Sequence, residues 1–358
     1  RFRERRSKLF CRRGRVADMT GNTNKAIFKL ERYLMSSQRI CYLLCCVSTI
    51  LSTNITASES PFTRDIDRSC HKGCGYALTV DRVAPTNPNG AAVVMITSGR
   101  WISRHEFLAP QVADRLPAAV TEGILNPTEL LRRGYTVFFV IHGAEPLFTM
   151  PEIHAQISAA VRHIRHNAHV YGIDPARIGI IGGSAGGHLA LLQSTKGLAA
   201  DRAPSSQAEQ SSRVQAVMAF FPPTDFVNYG EEGLFFVDVM QAAGGLNFQQ
   251  ALDLFDQDNE KFLRTRVTDK ERLAQHYRDI SPYYHVSADD PPTLLIHGDA
   301  DDVVPLQQSE RIADKFTTEG VTHELHRKAG GGHGWKPDAT ELRRIADWFD
   351  AHLGEEPI

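Results

Sequence analysis

Short runs of consecutive apolar residues recur along residues 76–353, separated by stretches with a helical spacing of apolar positions. Such continuous runs are typical of strands that are buried on both faces of a parallel sheet. The predicted strands, in chain order, lie at 76–80, 91–96, 135–141, 177–181, 214–220, 293–298 and 323–326. Because strands alternate with helices, the pattern predicts an α/β fold with a doubly wound, mostly parallel sheet.

Two helices follow clearly from the pattern. Residues 149–152 read Thr-Met-Pro-Glu, which has the form of a capping box with an early proline. Apolar residues then recur at spacings of three and four, and Gly172 ends the segment; the apolar positions are Ile153, Ile157, Val161, Ile164 and Ala168. Residues 339–353 form a second amphipathic pattern and are predicted to be the closing helix.

Residues 224–290 interrupt the alternation and are helical in pattern, with many Phe and Asp residues. An insertion at this point of a doubly wound sheet lies over the carboxyl edge of the strands. We therefore interpret 224–290 as a lid over a binding site, with a peripheral packing insertion as the alternative. The folded domain is predicted to extend from Tyr76 to the end of the chain at residue 358.

The sequence Gly182-Gly183-Ser184-Ala185-Gly186 directly follows one predicted strand and opens a helical segment. In a nucleophile elbow the serine has a strained backbone, so the residues two before and two after it must be small. Both positions are glycine here, which makes Ser184 a candidate nucleophile. A glycine-rich turn with an incidental serine is the alternative. Candidate acid and base residues elsewhere in the chain are needed to distinguish the two interpretations.

A serine hydroxyl reacts readily only beside a base that an acid orients, and in this architecture the three follow in the order serine, acid, histidine. The segment 297–305 offers three carboxylates after a predicted strand. We choose Asp301, just beyond the strand end, and expect Asp299 and Asp302 to shape the turn or face water. His333, within a glycine-rich loop at 330–334, is the candidate base, and a surface histidine is the alternative.

Backbone N–H groups near the elbow are the candidate donors to a developing oxyanion. The N–H of Ala185 lies at a helix N-terminus, which favours negative charge. A second donor is expected from the loop after the strand at 91–96, where Gly99 and Arg100 present their N–H groups. Trp101 is predicted to pack beneath this loop.

The 358-residue chain has a formal net charge of −2, which is distributed unevenly. Residues 1–57 carry 12 lysine and arginine residues against three acidic ones, a net charge of +9, so the remainder carries −11. An acidic body argues against nucleic acid as a partner. Residues 1–34 are interpreted as a basic extension outside the fold.

Residues 35–57 have the pattern of a signal peptide: a short basic start at Arg39, an apolar stretch at 40–51 and small residues ending at Ala57. The apolar stretch is too short to span a bilayer, which takes about 20 residues. The pattern predicts a secreted or periplasmic protein, with a buried helix as the alternative. In an oxidising compartment Cys70 and Cys74 could form a small disulfide. No cofactor or metal is expected, since only His71 lies near these cysteines as a further ligand.

Three motifs together resemble those of the α/β-hydrolase family, and most closely its esterase/lipase-like branch. That branch includes feruloyl-esterase-like proteins and the catalytic domain of prolyl oligopeptidases. The motifs are 182–186, 297–305 and Gly332-His333-Gly334-Trp335, and the resemblance runs from about Tyr76 to Leu353.

The resemblance implies Ser184 as nucleophile, Asp301 as acid and His333 as base. It also implies Ala185, with Gly99 or Arg100, as donors to the oxyanion. The chain departs from the branch at 97–101, where Thr-Ser-Gly-Arg-Trp replaces the usual His-Gly-Gly-Gly-Trp.

The leading functional hypothesis is a serine hydrolase that cleaves small-molecule carboxylic esters, including carbohydrate-linked ones. A serine peptidase of the prolyl oligopeptidase type is the second hypothesis. A non-catalytic binding protein on a hydrolase fold is the third, and the presence of all three candidate side chains argues against it.

Overall fold

A computed structural model describes residues 62–67, 79–103, 123–144, 148–197, 206–242, 252, 254–258 and 263–354. These residues all belong to one compact unit, 60–358. In these ranges no helix is both long enough and apolar enough to cross a membrane. The basic extension, the signal peptide at 35–57 and the pair Cys70 and Cys74 lie outside the described residues.

Eight of the ten described strands form one sheet, in the order β1-β2-β4-β3-β5-β6-β9-β10. The first two strands run antiparallel to their neighbours, and the others are parallel. The strands are β1 Phe62–Asp67, β2 Thr79–Pro85, β3 Ala92–Ile96, β4 Thr136–Ile141, β5 Ile178–Gly183, β6 Ala216–Phe220, β9 Thr293–Gly298 and β10 His323–Lys328. The predicted doubly wound, mostly parallel sheet is confirmed. The fold begins earlier than the predicted start at Tyr76, because β1 pairs with β2 as an edge strand.

Helices cover both faces of this sheet. Their bounds are α1 Thr128–Arg132, α2 Met150–His166, α3 Ala168–Tyr171, α4 Ala185–Lys196, α5 Phe236–Ala242, α6 Lys270–Asp279, α7 Gln307–Glu319 and α8 Ala339–Leu353. The capping box of α2 is present, with the backbone N–H of Thr149 donating to Glu152 at 2.7 Å. The apolar positions predicted for α2 are buried, and α8 has the predicted bounds.

The strands divide their apolar residues between two cores, because successive side chains of a strand point to opposite faces. In β3, Val94 and Ile96 pack into the core beneath α2, α4 and α7, whereas Val93 and Met95 pack into the core beneath α1 and α8. The central strands are therefore buried on both faces, and they form the rigid part of the sheet from which the turn between β5 and α4 emerges.

The insertion at 224–290 contains α5, α6, a two-stranded antiparallel hairpin and a short 3-10 turn at Pro282–His285. The hairpin strands are β7 Phe255–Asp258 and β8 Leu263–Arg266, which the helical pattern did not predict. The insertion begins inside the main core, where Phe226, Tyr229 and Phe236 are buried. Whether 224–290 acts as a lid stays a prediction.

Candidate active site

Ser184 lies at the sharp turn between β5 and α4, with φ 54° and ψ −122°. This left-handed conformation is strained for a serine, at a cost on the order of 1–3 kcal/mol. The turn is possible because both flanking positions lack a side chain. A Cβ on Gly182 would overlap the carbonyl of Gly186, and one on Gly186 would lie 2.7 Å from the carbonyl oxygen of Ile96. The backbone therefore has the form predicted from the elbow sequence.

Asp301 follows the carboxyl end of β9 in a tight turn, and its side chain is fully buried. The Oδ1 atom accepts hydrogen bonds from the N–H groups of Val303 and Val304, both at 2.9 Å. These bonds leave Oδ2 directed at the histidine loop. Asp299 instead accepts from the N–H of Gly330 at 2.6 Å, and Asp302 is exposed. Asp299 and Asp302 therefore lie where the sequence predicted, shaping the turn and facing water.

His333 is brought to the serine by a loop that packs against the end of β9. A Cβ on Gly298 would overlap the carbonyl of Gly331, so the two backbones approach as closely as glycine allows. The N–H of Ala300 donates to the same Gly331 carbonyl at 2.9 Å. Gly330 and Gly334 both have positive φ, at 67° and 95°, and permit the bends on either side of the histidine.

The three predicted side chains form one continuous hydrogen-bonded path. The Nε2 atom of His333 lies 3.0 Å from Oγ of Ser184, and its Nδ1 atom lies 2.9 Å from Oδ2 of Asp301. A carboxylate can only accept, so Nδ1 carries the proton and the Nε2 lone pair faces the serine hydroxyl. In this arrangement the imidazole can accept the hydroxyl proton from Ser184.

Asp301 is held in its ionised form. Burial alone raises the pKa of its carboxyl, but hydrogen bonds from His297, His333 and the N–H groups of Val304 and Val303 outweigh burial and lower it well below its usual range. A permanently charged acceptor can both orient the histidine ring and stabilise the imidazolium that proton transfer creates.

The oxyanion candidates differ in how their N–H groups are used. Ala185 is the first residue of α4, where backbone N–H groups have no partner within the helix. The N–H of Gly99 donates to the carbonyl of Ile102 at 3.0 Å, and the reverse bond is 2.9 Å. Gly99 cannot bind a substrate oxygen without breaking this two-residue turn, whereas the N–H of Arg100 takes no part in this pair of bonds.

Two residues beside the site were not singled out from the sequence. Phe221 has φ 34°, is buried, and packs its ring 4.6 Å from that of His333, centroid to centroid. His297 is buried behind Asp301, with Nε2 donating to the carbonyl of Val304 at 2.9 Å and lying 3.5 Å from Oδ2 of Asp301. The contact of Phe221 with His333 joins segments that are distant in sequence, whereas His297 lies only four residues before Asp301, at the start of the 297–305 motif.

The described residues contain no group of three or more His, Cys, Asp or Glu side chains arranged to hold a metal ion. His142, which follows β4 and begins a His-Gly pair, is buried and donates from Nδ1 to the carbonyl of Gly143 at 2.6 Å. Burial lowers its pKa to about 4, so the imidazole is neutral near pH 7.

The chain matches the model of one known protein family. The BD-FAE family model matches residues 86–316, well over half of the sequence. The chain belongs to the BD-FAE family. This BD-FAE match contains Ser184 and Asp301, whereas His333 lies beyond it. The resemblance to esterase-like α/β-hydrolases, inferred from the three motifs, is thereby confirmed at the level of the family.

This BD-FAE protein is similar in structure to solved esterases. A truncated carbohydrate esterase from gut microbiota superposes with a TM-score of 0.58 at 22% identity, covering 83% of this chain and 99% of that one. Esterase Est2 of Thermogutta terrifontis gives a TM-score of 0.55 at 20% identity, covering 81% and 92%. At these identities the likeness establishes the α/β-hydrolase fold.

Among curated proteins, the BD-FAE chain is similar to a probable carboxylic ester hydrolase, LipM, of Mycobacterium tuberculosis. Identity is 28% over 191 residues, covering 53% of this chain and 39% of LipM. It is also similar to isoprenylcysteine alpha-carbonyl methylesterase ICME of Arabidopsis thaliana, with 24% identity over 327 residues, covering 86% and 66%. The chain thus spans between 39% and 66% of the length of these two relatives.

Proposed function

We propose that this protein is a serine hydrolase that cleaves carboxylic esters through an acyl-enzyme on Ser184. The observation that carries the proposal is the hydrogen-bonded path from Ser184 through His333 to the buried carboxylate of Asp301. The esterase names of the relatives support the reaction class. The chemistry requires only these side chains, backbone N–H groups and water.

In the proposed first step, Oγ of Ser184 attacks the ester carbonyl while Nε2 of His333 takes the hydroxyl proton. Asp301 stabilises the resulting imidazolium through Nδ1. The tetrahedral intermediate then expels the alcohol, which receives the proton from His333. Water, deprotonated by His333, attacks the acyl-enzyme, and the acid product leaves with Ser184 restored.

The negative charge of the tetrahedral intermediate is proposed to be stabilised by the N–H groups of Ala185 and Arg100. Removing one such donor in a serine hydrolase costs about 10²–10³ in kcat. The N-terminal end of α4 adds a favourable partial positive charge at the same point. Ser184 is half-buried, and this limits the water that would otherwise screen these interactions.

The proposed substrates are small esters, including acyl groups carried by carbohydrates. The name of one structural neighbour, a carbohydrate esterase, supports this class. A serine peptidase of the prolyl oligopeptidase type remains the competing assignment. Peptide cleavage asks more of the site, because the amide is less reactive and its leaving amine must be protonated.

A substrate comparison tests the proposal. The values of kcat/KM are measured for p-nitrophenyl acetate and butyrate, an acetylated xyloside, a methyl ester and Gly-Pro-p-nitroanilide. The expected result is efficient turnover of at least one unactivated ester with little cleavage of the anilide. Efficient peptide cleavage with feeble turnover of every ester would reverse the assignment, and absence of both activities would favour a binding protein.

A further inference from the structure

The loop that carries Arg100 makes a two-residue turn of an unusual kind. Gly99 and Ile102 exchange two backbone hydrogen bonds, while Arg100 and Trp101 between them have φ 55° and 57°. Turns with positive φ at both central residues are dominated by Asn, Asp and Gly. Two bulky side chains hold this shape only if surrounding contacts fix it, so the anchor of the turn has to lie in its side chains.

The side chain of Trp101 is that anchor. It is buried, and its ring makes edge-on contacts with the aromatic rings of His188, Phe226 and Phe236, with centroids 5.7–5.8 Å apart. The indole N–H donates to Nδ1 of His188 at 3.0 Å. This hydrogen bond lies within a largely apolar core. Because it has a preferred direction, it fixes the Trp101 ring in one orientation.

His188 has a single protonation state that can make its two hydrogen bonds. Its Nε2 atom lies 2.7 Å from the carbonyl oxygen of Ile280, which can only accept. The ring proton is therefore on Nε2, and Nδ1 presents its lone pair to the indole of Trp101. The side chain is fully buried, and burial lowers its pKa to about 4, so this neutral form persists near pH 7.

His188 also lies one turn into α4, and its backbone N–H donates to the carbonyl of Ser184 at 2.9 Å. The same residue thus contacts the elbow through its backbone and the Arg100 turn through its side chain. The two proposed oxyanion donors, Ala185 and Arg100, stand on the two segments that His188 joins.

We propose that His188 is a positioning residue that aligns the Arg100 turn with the elbow helix by accepting the indole hydrogen bond of Trp101. This role rests on the proposed esterase function. The two ring nitrogens of His188 bond to Trp101 and Ile280, whereas Oγ of Ser184 bonds to His333. Its effect on the reaction is therefore exerted through the placement of backbone N–H groups.

The variant Trp101→Phe tests the role, because it keeps an aromatic ring and removes the indole N–H, together with part of the buried ring volume. Trp348→Phe on α8 is the matched control, since the indole nitrogen of Trp348 is buried and has no hydrogen-bond partner among the residues that the structure describes. Each variant is assayed for kcat and KM on the best ester and for inhibition by a trifluoromethyl ketone with the same acyl group. That inhibitor forms an oxyanion adduct with a reactive serine.

Trp101→Phe is expected to lower kcat and trifluoromethyl ketone affinity together, by about tenfold or more, with KM nearly unchanged. A donor that is misaligned costs less than one that is removed, for which about 10²–10³ is typical. Trp348→Phe is expected to match the wild type in all three quantities. Kinetic constants are normalised to the fraction of protein that reacts with a fluorophosphonate, so a loss of folded protein is not counted.

A double-mutant comparison separates alignment from a general loss of packing. If the hydrogen bond is the link, His188→Gln in the Trp101→Phe background adds less to the loss of kcat than His188→Gln alone. Fully additive losses, or Trp101→Phe activity and inhibitor affinity within twofold of wild type, would overturn the role of His188. Failure of the proposed function has a different signature, in which the wild type itself hydrolyses no ester.

Discussion

The carboxylate of Asp301 contacts two histidines through one oxygen: Oδ2 lies 2.9 Å from Nδ1 of His333 and 3.5 Å from Nε2 of His297. The other oxygen is fully occupied by two backbone N–H groups. Asp301 therefore has both of its oxygens committed, and a neutral side chain there cannot make the same set of contacts.

Replacing Asp301 by Asn is expected to lower kcat for the best ester by about 10⁴, the loss found for the corresponding change in a serine protease. The amide holds His333 in the wrong tautomer while leaving the fold intact. Asp299→Asn and Asp302→Asn are the matched controls from the same turn and are expected to stay within tenfold of wild type. A larger loss at 299 or 302 than at 301 would move the acid to another position.

The close approach of Gly298 and Gly331 predicts that the base is sensitive to a single methyl group. Gly298→Ala is expected to displace the histidine loop and reduce kcat by at least about 10²-fold, because a shift of about 1 Å at a reacting group has this cost. Gly332→Ala, directly beside His333, is the control: its added Cβ would have no neighbour nearer than 4.0 Å. Equal activity of the two variants would contradict the packing argument.

Buried histidines predict how the free energy of unfolding depends on pH, and one of them is His154, whose pKa burial lowers to about 4. Burial lowers the pKa of both His142 and His188 to about 4, whereas an unfolded histidine titrates near about 6.5. Between these values the unfolded chain binds more protons, so the free energy of unfolding falls as the pH falls. Each group contributes about 1.4 kcal/mol per pH unit within this window.

Urea unfolding at several pH values between 7 and 4.5 measures this dependence. His142→Gln is expected to reduce its slope by about one proton, because one of the histidines with a lowered pKa is removed. A wild-type free energy of unfolding that is constant from pH 7 to pH 5 would contradict the assignment of neutral buried histidines.

Strands of the central sheet could be predicted from the sequence because burial on both faces leaves continuous apolar runs. The edge strand β1, Phe62–Asp67, was missed because only Phe62 and Ile66 are apolar there. The hairpin strands β7 and β8 were missed for the same reason: both are mostly polar and have no alternating apolar pattern. These three strands are specified by their hydrogen bonds to a neighbouring strand more than by the burial of apolar side chains.

The candidate site shows the same division. Ser184, Asp301 and His333 could be found because each lies in a short motif in the expected chain order. The hydrogen bond of the Gly99 N–H could not be predicted. Arg100 and Trp101 are not the residue types that usually form a turn with two positive φ angles. Phe221 packs against His333 through a contact between distant segments, which one sequence does not reveal, whereas His297 lies only four residues before Asp301.

We propose that the chain is exported and cut near Ala57, from the basic, apolar and small-residue order at 35–57. Expression with this segment in a secreting host, followed by mass spectrometry of the product, tests the proposal. The expected N-terminus lies close after residue 57. A product that stays in the cytoplasm and begins at or before Met35 would refute it.

Covalent labelling tests directly whether Ser184 is the nucleophile. A fluorophosphonate probe is added to the wild type, to Ser184→Ala and to Ser194→Ala, whose serine lies on the same helix and donates to the carbonyl of Leu191 at 2.7 Å. One adduct is expected in the wild type and in Ser194→Ala, located on Ser184 by peptide mapping. Ser184→Ala should remain unlabelled and lose several orders of magnitude in kcat; equal labelling or ester turnover by the wild type and Ser184→Ala would contradict the central claim.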